Sequence, residues 1–82
     1  MTSLPLSELP RSVSATVLEV KTVSEHDLIA QRLCDLGFVP GETVQIQHYA
    51  PVSADPVLVQ IGSTRLAIRL TEARRVLVEK GL

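Results

Sequence analysis

Apolar residues recur along the chain at two spacings, one typical of a helix and the other typical of strands. Ile29, Leu33 and Leu36 are separated by three or four residues, which predicts one apolar stripe on a helix over residues 24–36. Ser24 is the predicted N-cap, because its hydroxyl can accept a hydrogen bond from the free amides of the first turn. The helix is therefore expected to run from the residue after Ser24 to Leu36.

Alternating apolar and polar residues predict five short strands around this helix. In chain order they are Ser14–Lys21, Glu42–Ala50, Val57–Ile61, a strand carrying Leu66, Ile68 and Leu70, and a last strand carrying Val76 and Val78. In the first strand two alternation phases compete, one through Ala15 and one through Leu18, so its buried face stays open. Leu6 and Leu9 predict a single helical turn that closes one end of the core.

The helix and the second predicted strand meet at a corner built from turn-forming residues. Gly37 follows the last helical residue, where a left-handed backbone conformation is usual. Phe38 comes next, as an apolar residue that can fold back on the last helical turn. Pro40-Gly41 favours a tight turn, because proline presets φ and glycine accepts the left-handed conformation. The chain is therefore expected to pass from helix to strand within a few residues.

The corner also carries a resemblance to a known family. The run Arg-Leu-x-x-Leu-Gly-Phe-x-Pro-Gly-x-x-Val, residues 32–44, resembles the signature of the FeoA family, the small cytoplasmic accessory proteins of bacterial ferrous-iron uptake. Further matches are the Ala50-Pro51 and Asp55-Pro56 loop, the strand segment Leu66-Ala67-Ile68-Arg69 and the turn at Glu72-Ala73. The resemblance covers about residues 32–78. Arg11-Ser12 departs from the family, which tends to have a glycine at that place.

The resemblance implies both a fold and a function. It implies an all-β, SH3-like barrel of about five strands with one helix inserted between strands one and two, forming a single domain over residues 1–82. Five short strands independently favour a small barrel that closes its own edges. The implied function is that of a non-enzymatic accessory module, which acts with the membrane-bound ferrous iron transporter, a protein with a GTPase domain, through the cytoplasmic face of that transporter.

A second function from a different class stays open, namely a metal-sensing or transition-metal-binding domain. Similar barrels are found in iron-dependent repressors, where they follow a DNA-binding helical domain. The sequence shows no such helical domain, and this disfavours repression.

Composition and charge exclude several other classes. The net charge is -1, tryptophan is absent and aromatic residues make up 2%, so neither a basic footprint nor a stacking platform for nucleic acid is present. No segment approaches the ~20 apolar residues of a membrane-spanning helix, and the first residues lack the features of a secretory signal. Cys34 is the single cysteine, which fits a reduced cytoplasmic setting. A cytoplasmic monomer is expected.

Three residues are weak candidates for holding a transition metal ion: Glu25, His26 and Cys34. Imidazole and carboxylate together suit a first-row metal. The positions that share a predicted helix face with His26 are Ile29 and Ala30, however, and neither is a ligand. Structural roles are therefore preferred: Glu25 would complement the helix dipole, and Cys34 would be a small hydrophobe at the packing boundary. No cofactor is expected, with a metal ion as the alternative.

Residues at the corner and in the loop after the second predicted strand are the predicted partner-binding residues. They are Val39, Glu42, Val52 and Asp55. Turn geometry requires none of them, and loops stiffened by proline and glycine lose little entropy on binding. No catalytic residue is predicted, because no base accompanies a nucleophile. A solvated face, with docking as the second interpretation, is predicted for Arg65, Arg69, Arg74 and Arg75.

Overall fold

Short strands dominate the part of the chain that the computed structural model describes, residues 3–51, 53 and 55–81. The strands are β1 (Ser3–Pro5), β2 (Ser14–Val20), β3 (Thr43–Tyr49), β4 (Val57–Ile61), β5 (Thr64–Ile68) and β6 (Val76–Lys80). The helices are α1 (Leu28–Leu36), α2 (Leu70–Ala73) and the 3₁₀ turn Leu6–Glu8. All strands pair antiparallel in one sheet, in the order β1-β6-β2-β3-β4-β5. The predicted all-β fold with one helix inserted between the first two predicted strands is confirmed. The predicted closure of the sheet edges is not observed, because β1 and β5 end the strand order and do not pair with each other among the described residues.

The core lies on the inner face of this curved sheet, where alternate apolar residues meet. Strand β4 shows the pattern clearly, since Val57 and Val59 are fully buried while Leu58 is exposed. The remaining core residues are Leu6, Leu9, Ala15, Val17, Leu33, Phe38, Val44, Ile46, Ile61, Ile68, Ala73, Val76 and Val78. The two-residue turn between β4 and β5 begins with Gly62, whose φ of 58° confirms the predicted glycine position of the hairpin.

A bulge in β2 explains why its two alternation phases compete in the sequence. Ala15 and Val17 are buried, and the register against β6 then shifts between Val17 and Glu19. Leu18 lies within the shift and is exposed, and Val20 beyond it is half-buried, so the inward phase changes within one strand. A similar shift in β3, between Ile46 and His48, leaves His48 exposed rather than in phase with the buried residues before it.

The N-terminal segment closes one end of the core, as predicted, but it also adds a strand that was not predicted. Leu6 and Leu9 are buried at either end of the 3₁₀ turn. The Tyr49 hydroxyl donates to the Leu9 carbonyl oxygen at 2.7 Å and fixes this turn against β3. Partial burial raises the pKa of the Tyr49 phenol. β1 lies just before the turn and pairs with β6, so the sheet has six strands rather than five within the described residues.

Ser12 occupies a backbone conformation that usually selects glycine. Its φ is 67°, in the left-handed region, at the place where the resembled family tends to have glycine. The conformation is held from both sides of the peptide, because the Ser12 N–H donates to the Ile46 carbonyl at 2.9 Å and the Ser12 carbonyl accepts from Gln45 Nε2 at 2.8 Å. The chain therefore turns as a glycine would, at a cost in backbone strain.

Candidate functional site

Helix α1 is fixed to the barrel at its C-terminal end by the corner. Gly37 has φ 119° and ψ 0°, its N–H donates to the Cys34 carbonyl, and the N–H of Phe38 donates to the Leu33 carbonyl, both at 3.0 Å. This pair of bonds is the Schellman motif, in which the apolar residue after the glycine contacts the last helical turn. Phe38 and Leu33 are fully buried in the same core cluster. The predicted glycine cap and the packing of Phe38 are confirmed.

The turn that follows directs an apolar side chain outward. The Glu42 N–H donates to the Val39 carbonyl at 3.1 Å, and Gly41 within that turn has φ 93°. The corner is also bonded to β2, because Gly41 donates to the Val17 carbonyl at 2.8 Å. Val39 is nevertheless 42% exposed at this rigid position. The corner thus presents an apolar group on a backbone whose residues 37–42 form six hydrogen bonds, some with one another and the others with α1 and β2.

The N-terminal end of α1 is held by Asp27. Its carboxylate accepts from the N–H of Ala30 at 3.1 Å, which caps the helix, and from the N–H of Val23 at 3.0 Å. Arg75 donates to the same carboxylate at 2.7 Å. The hydrogen bond from the Arg75 side chain, followed by the two backbone bonds, holds the pKa of Asp27 well below its usual range. One carboxylate therefore joins the loop before α1, the helix itself and the residue before β6.

The predicted helix start at Ser24 is wrong, because the N-cap is Asp27. Glu25 and His26 lie in the turn before the helix and not in its first turn, so Glu25 does not complement the helix dipole from the first turn as predicted. The burial of the stripe also differs. Ile29 is 47% exposed, and the inward position of the first turn is Ala30. Asp27, and not Ser24, is the N-cap because its carboxylate forms an ion pair with Arg75 in addition to the capping hydrogen bond.

A cavity of about 320 Å³ lies between α1 and the loop that precedes it. Its lining includes all three weak metal candidates, Glu25, His26 and Cys34. The other lining residues are Val20, Thr22, Ser24, Asp27, Leu28, Ala30 and Gln31. Across the described residues, however, no group of three His, Cys, Asp or Glu side chains is placed to hold a metal ion. The candidate ligands share a cavity without forming a complete protein ligand set.

Cys34 is exposed, so the interpretation of this side chain as a small hydrophobe at the packing boundary is wrong. Its side chain lines the cavity together with Ala30, which lies one helical turn earlier on α1, so the space beside Cys34 is occupied by the cavity and not by core side chains.

Apolar residues around the start of α1 are unusually exposed. Val23 and Leu28 are 78% and 75% exposed, and both lie within a few residues of the Asp27 cap. Their exposure was not predicted, because the longer helix predicted from residue 24 would have placed Leu28 inside it and Val23 directly before it. An Asp27 cap would have put Leu28 at the first helical position, outside the buried stripe. Val39 is the exposed apolar residue beyond the other end of α1, and it is the candidate contact residue of the chain.

Helix α2 is organised by a buried acid. Glu72 is 6% exposed, and its carboxylate accepts from the Arg69 N–H at 2.8 Å and from the Arg32 guanidinium. The ion pair links α2 to α1, since Arg32 lies on α1. Arg75 is half-buried in its own ion pair with Asp27, so it does not belong to the solvated arginine face that was predicted. Arg65, Arg69 and Arg74 are exposed as expected.

The predicted partner-binding residues fall into three groups. Val39 is an exposed side chain with apolar surface to bury. Glu42 is half-buried and accepts from the Thr43 N–H at 2.9 Å, and Asp55 is exposed but accepts from the Leu70 N–H at 3.0 Å. These two acids therefore have structural contacts as well. Val52 lies outside the described residues, and the docking role of all four stays a prediction.

The sheet order, the inserted helix and the small core define a barrel of the SH3-like class. Solved structures of that class superpose on the chain. FeoA of Stenotrophomonas maltophilia, solved in complex with zinc and described as a prokaryotic SH3 domain protein, is 47% identical at a TM-score of 0.81, over 96% of this chain and 91% of that one. FeoA of Chlorobium tepidum is 32% identical at a TM-score of 0.82, over 96% of this chain and 71% of that one.

The FeoA domain model matches residues 4–80, and the chain therefore belongs to the FeoA family. No curated protein sequence matches the chain. A manganese-dependent transcriptional repressor is similar at a TM-score of 0.79 and 15% identity, over 96% of this chain but 42% of the repressor, which shows a shared fold alone. Within the described residues no helix is long and apolar enough to cross a membrane.

Proposed function

We propose that the chain is a non-enzymatic accessory module of bacterial ferrous iron uptake that binds the cytoplasmic region of the membrane-bound GTPase transporter. Membership of the FeoA family carries this proposal. It is supported by the relative from Stenotrophomonas maltophilia, which is described as a candidate ferrous iron transport activating factor. The module would act by contact in the cytoplasm, and it would regulate or stabilise transport rather than carry iron.

The corner is the proposed docking surface. Val39 is held outward by a turn whose backbone is fixed by Gly37 and Gly41, so little conformational entropy is lost when a partner covers it. Burying the exposed part of a valine contributes about 1 kcal/mol, and replacing it by a carboxylate adds the cost of desolvating a charge. We therefore expect Val39→Asp to weaken binding by about tenfold or more, which corresponds to ~1.4 kcal/mol.

Isothermal titration calorimetry against the purified cytoplasmic region of the cognate transporter tests this proposal. Leu28→Asp is the matched control, because it makes the same chemical change at another exposed apolar residue, at a helix N-terminus that tolerates a carboxylate. Wild type and Leu28→Asp should bind equally, and Val39→Asp should bind weakly. Weakening by Leu28→Asp alone would move the docking surface to the start of α1. No binding by the wild type would refute the proposed function.

The alternative function is metal sensing, and one feature of the structure favours it: Glu25, His26 and Cys34 line a single cavity. The zinc complex of the relative from Stenotrophomonas maltophilia adds support. Because no group of three ligands is placed to hold a metal in the described part of the chain, calorimetric titration with Fe²⁺, Zn²⁺ or Mn²⁺ should show no tight one-to-one site. A stoichiometric micromolar site that His26→Ala abolishes would favour the sensor.

A further inference from the structure

Strand β5 lies at one end of the sheet, and no strand pairs with its outer edge within residues 3–51, 53 and 55–81. On its inner side it pairs with β4, and the two-residue turn sets Ile61 opposite Thr64. In such a hairpin the two residues that flank the turn, here Ile61 and Thr64, exchange both of their backbone hydrogen bonds with each other. Along β5 the residues that bond to β4 alternate with residues whose backbone N–H and C=O groups point away from β4. Arg65 and Ala67 therefore direct their N–H and C=O groups away from the sheet.

Within the described residues, no other group hydrogen-bonds to the outward-facing backbone of Arg65 and Ala67. No backbone hydrogen bond joins Arg65 or Ala67 to a loop in the part of the chain that the structure describes. The strand carries neither a proline nor a register shift against β4. The opposite edge differs, because β1 has three residues and ends at Pro5. A regular edge with four free backbone groups is a template for an added strand.

We propose that β5 is a docking edge for an extended segment of another protein that carries acidic residues at alternate positions. The side chains on the outer face of the edge are those of Arg65 and Ala67, and Arg69 follows in the same phase; all three are exposed. Neither Arg65 nor Arg69 belongs to an ion pair among the described residues, whereas Arg32 and Arg75 do. The edge thus combines unpaired backbone groups with two unpaired positive charges.

The register predicts which side chains such a segment would present. An antiparallel added strand places alternate side chains directly opposite Arg65 and Ala67, about 4.5–5.5 Å away between Cβ atoms. Arg69 follows β5 and its backbone N–H is bonded to Glu72, so Arg69 offers its side chain, but not its backbone, to the next acidic residue of the segment. Opposite charges across strands stabilise the pair. Ala67 is small, and its cross-strand neighbour Leu58 is 38% exposed, which leaves apolar surface for a larger side chain between the two acids. The fitting segment reads acidic, any, apolar, any, acidic.

A second copy of the chain fits this edge poorly. Pairing two β5 strands antiparallel about Ala67 would set Arg65 of each copy opposite Arg69 of the other. Like charges directly opposite each other destabilise a strand pair. The arginines that favour an acidic segment therefore oppose self-association. The β5 edge could bind such a segment whether or not the segment belongs to the transporter.

Nuclear magnetic resonance on the full ¹⁵N-labelled chain tests the inference with two synthetic probes. The first is a capped nine-residue peptide of alternating threonine and valine, with glutamate two positions on either side of the central valine. The second replaces both glutamates by lysine. We expect the glutamate peptide to shift the amide signals of Arg65 and Ala67 and to slow the exchange of these amides with solvent. We expect the lysine peptide to bind at least about tenfold more weakly than the glutamate peptide.

Three variants test separately the contribution of the arginine charges and that of the free backbone groups of β5. The double change Arg65→Glu and Arg69→Glu should reverse the preference between the peptides, whereas Arg74→Glu, an equal charge change on the exposed end of α2, should leave it unchanged. Ala67→Pro removes one outward N–H at an edge position that tolerates proline, and it should lower the affinity at least fivefold with an unchanged melting temperature. The proposal would be overturned if both peptides bound equally or if neither gave a response at millimolar concentration. It would also be overturned if amides other than those of Arg65 and Ala67 were protected, or if the chain self-associated through β5.

Discussion

The backbone of Gly37 offers a sharp test of how the corner is held. Its φ of 119° with ψ of 0° lies outside the regions that residues with a side chain populate readily. A Cβ added to Gly37 would lie 3.6 Å and 3.8 Å from Cγ1 and Cγ2 of Ile61, which is ordinary van der Waals contact. Space is therefore available, and the cost of Gly37→Ala reports the backbone conformation alone.

The magnitude follows from two opposing effects. A non-glycine residue in a sparsely populated region costs about 1–3 kcal/mol, and alanine recovers about 0.4–1 kcal/mol by restricting the unfolded chain. The net loss for Gly37→Ala is about 1–2 kcal/mol, and Gly37→Val should lose more because its side chain is β-branched. For a domain of this size each kcal/mol lowers the melting temperature by about 4–8 °C.

Thermal unfolding followed by circular dichroism measures the effect. Gly81→Ala is the matched control, because Gly81 is exposed, its φ is outside the left-handed range and a Cβ there would lie 3.8 Å from the Ser14 carbonyl oxygen. The control should melt within a few degrees of the wild type. A Gly37→Ala variant that melts with the control would refute the assignment of the corner to a glycine-dependent cap.

Three further predictions concern stability. Glu72→Ala should lose about 2–3 kcal/mol in urea unfolding, because a buried carboxylate and its charged hydrogen bonds are removed, and Glu72→Gln should lose less; equal losses would contradict this. The pKa of Asp27 lies below its ordinary value of 3.8 in the folded protein, so the unfolded chain binds the proton more tightly. The contribution of Asp27 to folding stability is therefore complete above about pH 5, and it is lost as the pH falls below 4 toward the folded pKa. Arg75→Gln should flatten this acid-side loss, and an unchanged slope would argue against the ion pair. Ser12→Gly should stabilise by up to ~1 kcal/mol by relieving a left-handed φ of 67°, and a destabilised variant would contradict the strain.

Local sequence signals predicted those parts of the fold that local interactions decide. The glycine and proline of the corner, the Gly62 hairpin and the alternation in β4 depend on backbone preferences and on burial of one face, and all are observed. The start of α1 depends instead on Arg75, which is 48 residues away from Asp27. No local pattern distinguishes a Ser24 cap from an Asp27 cap when the deciding partner is so distant.

The missed strand and the bulges have the same kind of cause. β1 has three residues and is defined only by its pairing with β6 at the other end of the chain. In β2 the alternation of apolar and polar residues changes phase at the register shift beside Leu18. The sequence of β2 therefore shows two short alternation patterns and not one continuous pattern. The two competing phases were therefore a signal of the bulge.

The candidate site was predicted only in part. Exposure of Val39 agrees with its predicted use as a contact residue, whereas the exposure of Val23 and Leu28 follows from the short helix and was not foreseen. Glu25, His26 and Cys34 come to one cavity, but through the loop before α1 rather than through a shared helix face.

Uptake of radiolabelled ferrous iron by cells of the native host tests the central claim most directly. Cells that lack the gene would be supplied with the wild-type chain, with Leu28→Asp or with Val39→Asp, all at matched protein levels. We expect uptake to fall without the chain, to return with the wild type and Leu28→Asp, and to stay low with Val39→Asp. Equal uptake with and without the chain would contradict the assignment to ferrous iron transport.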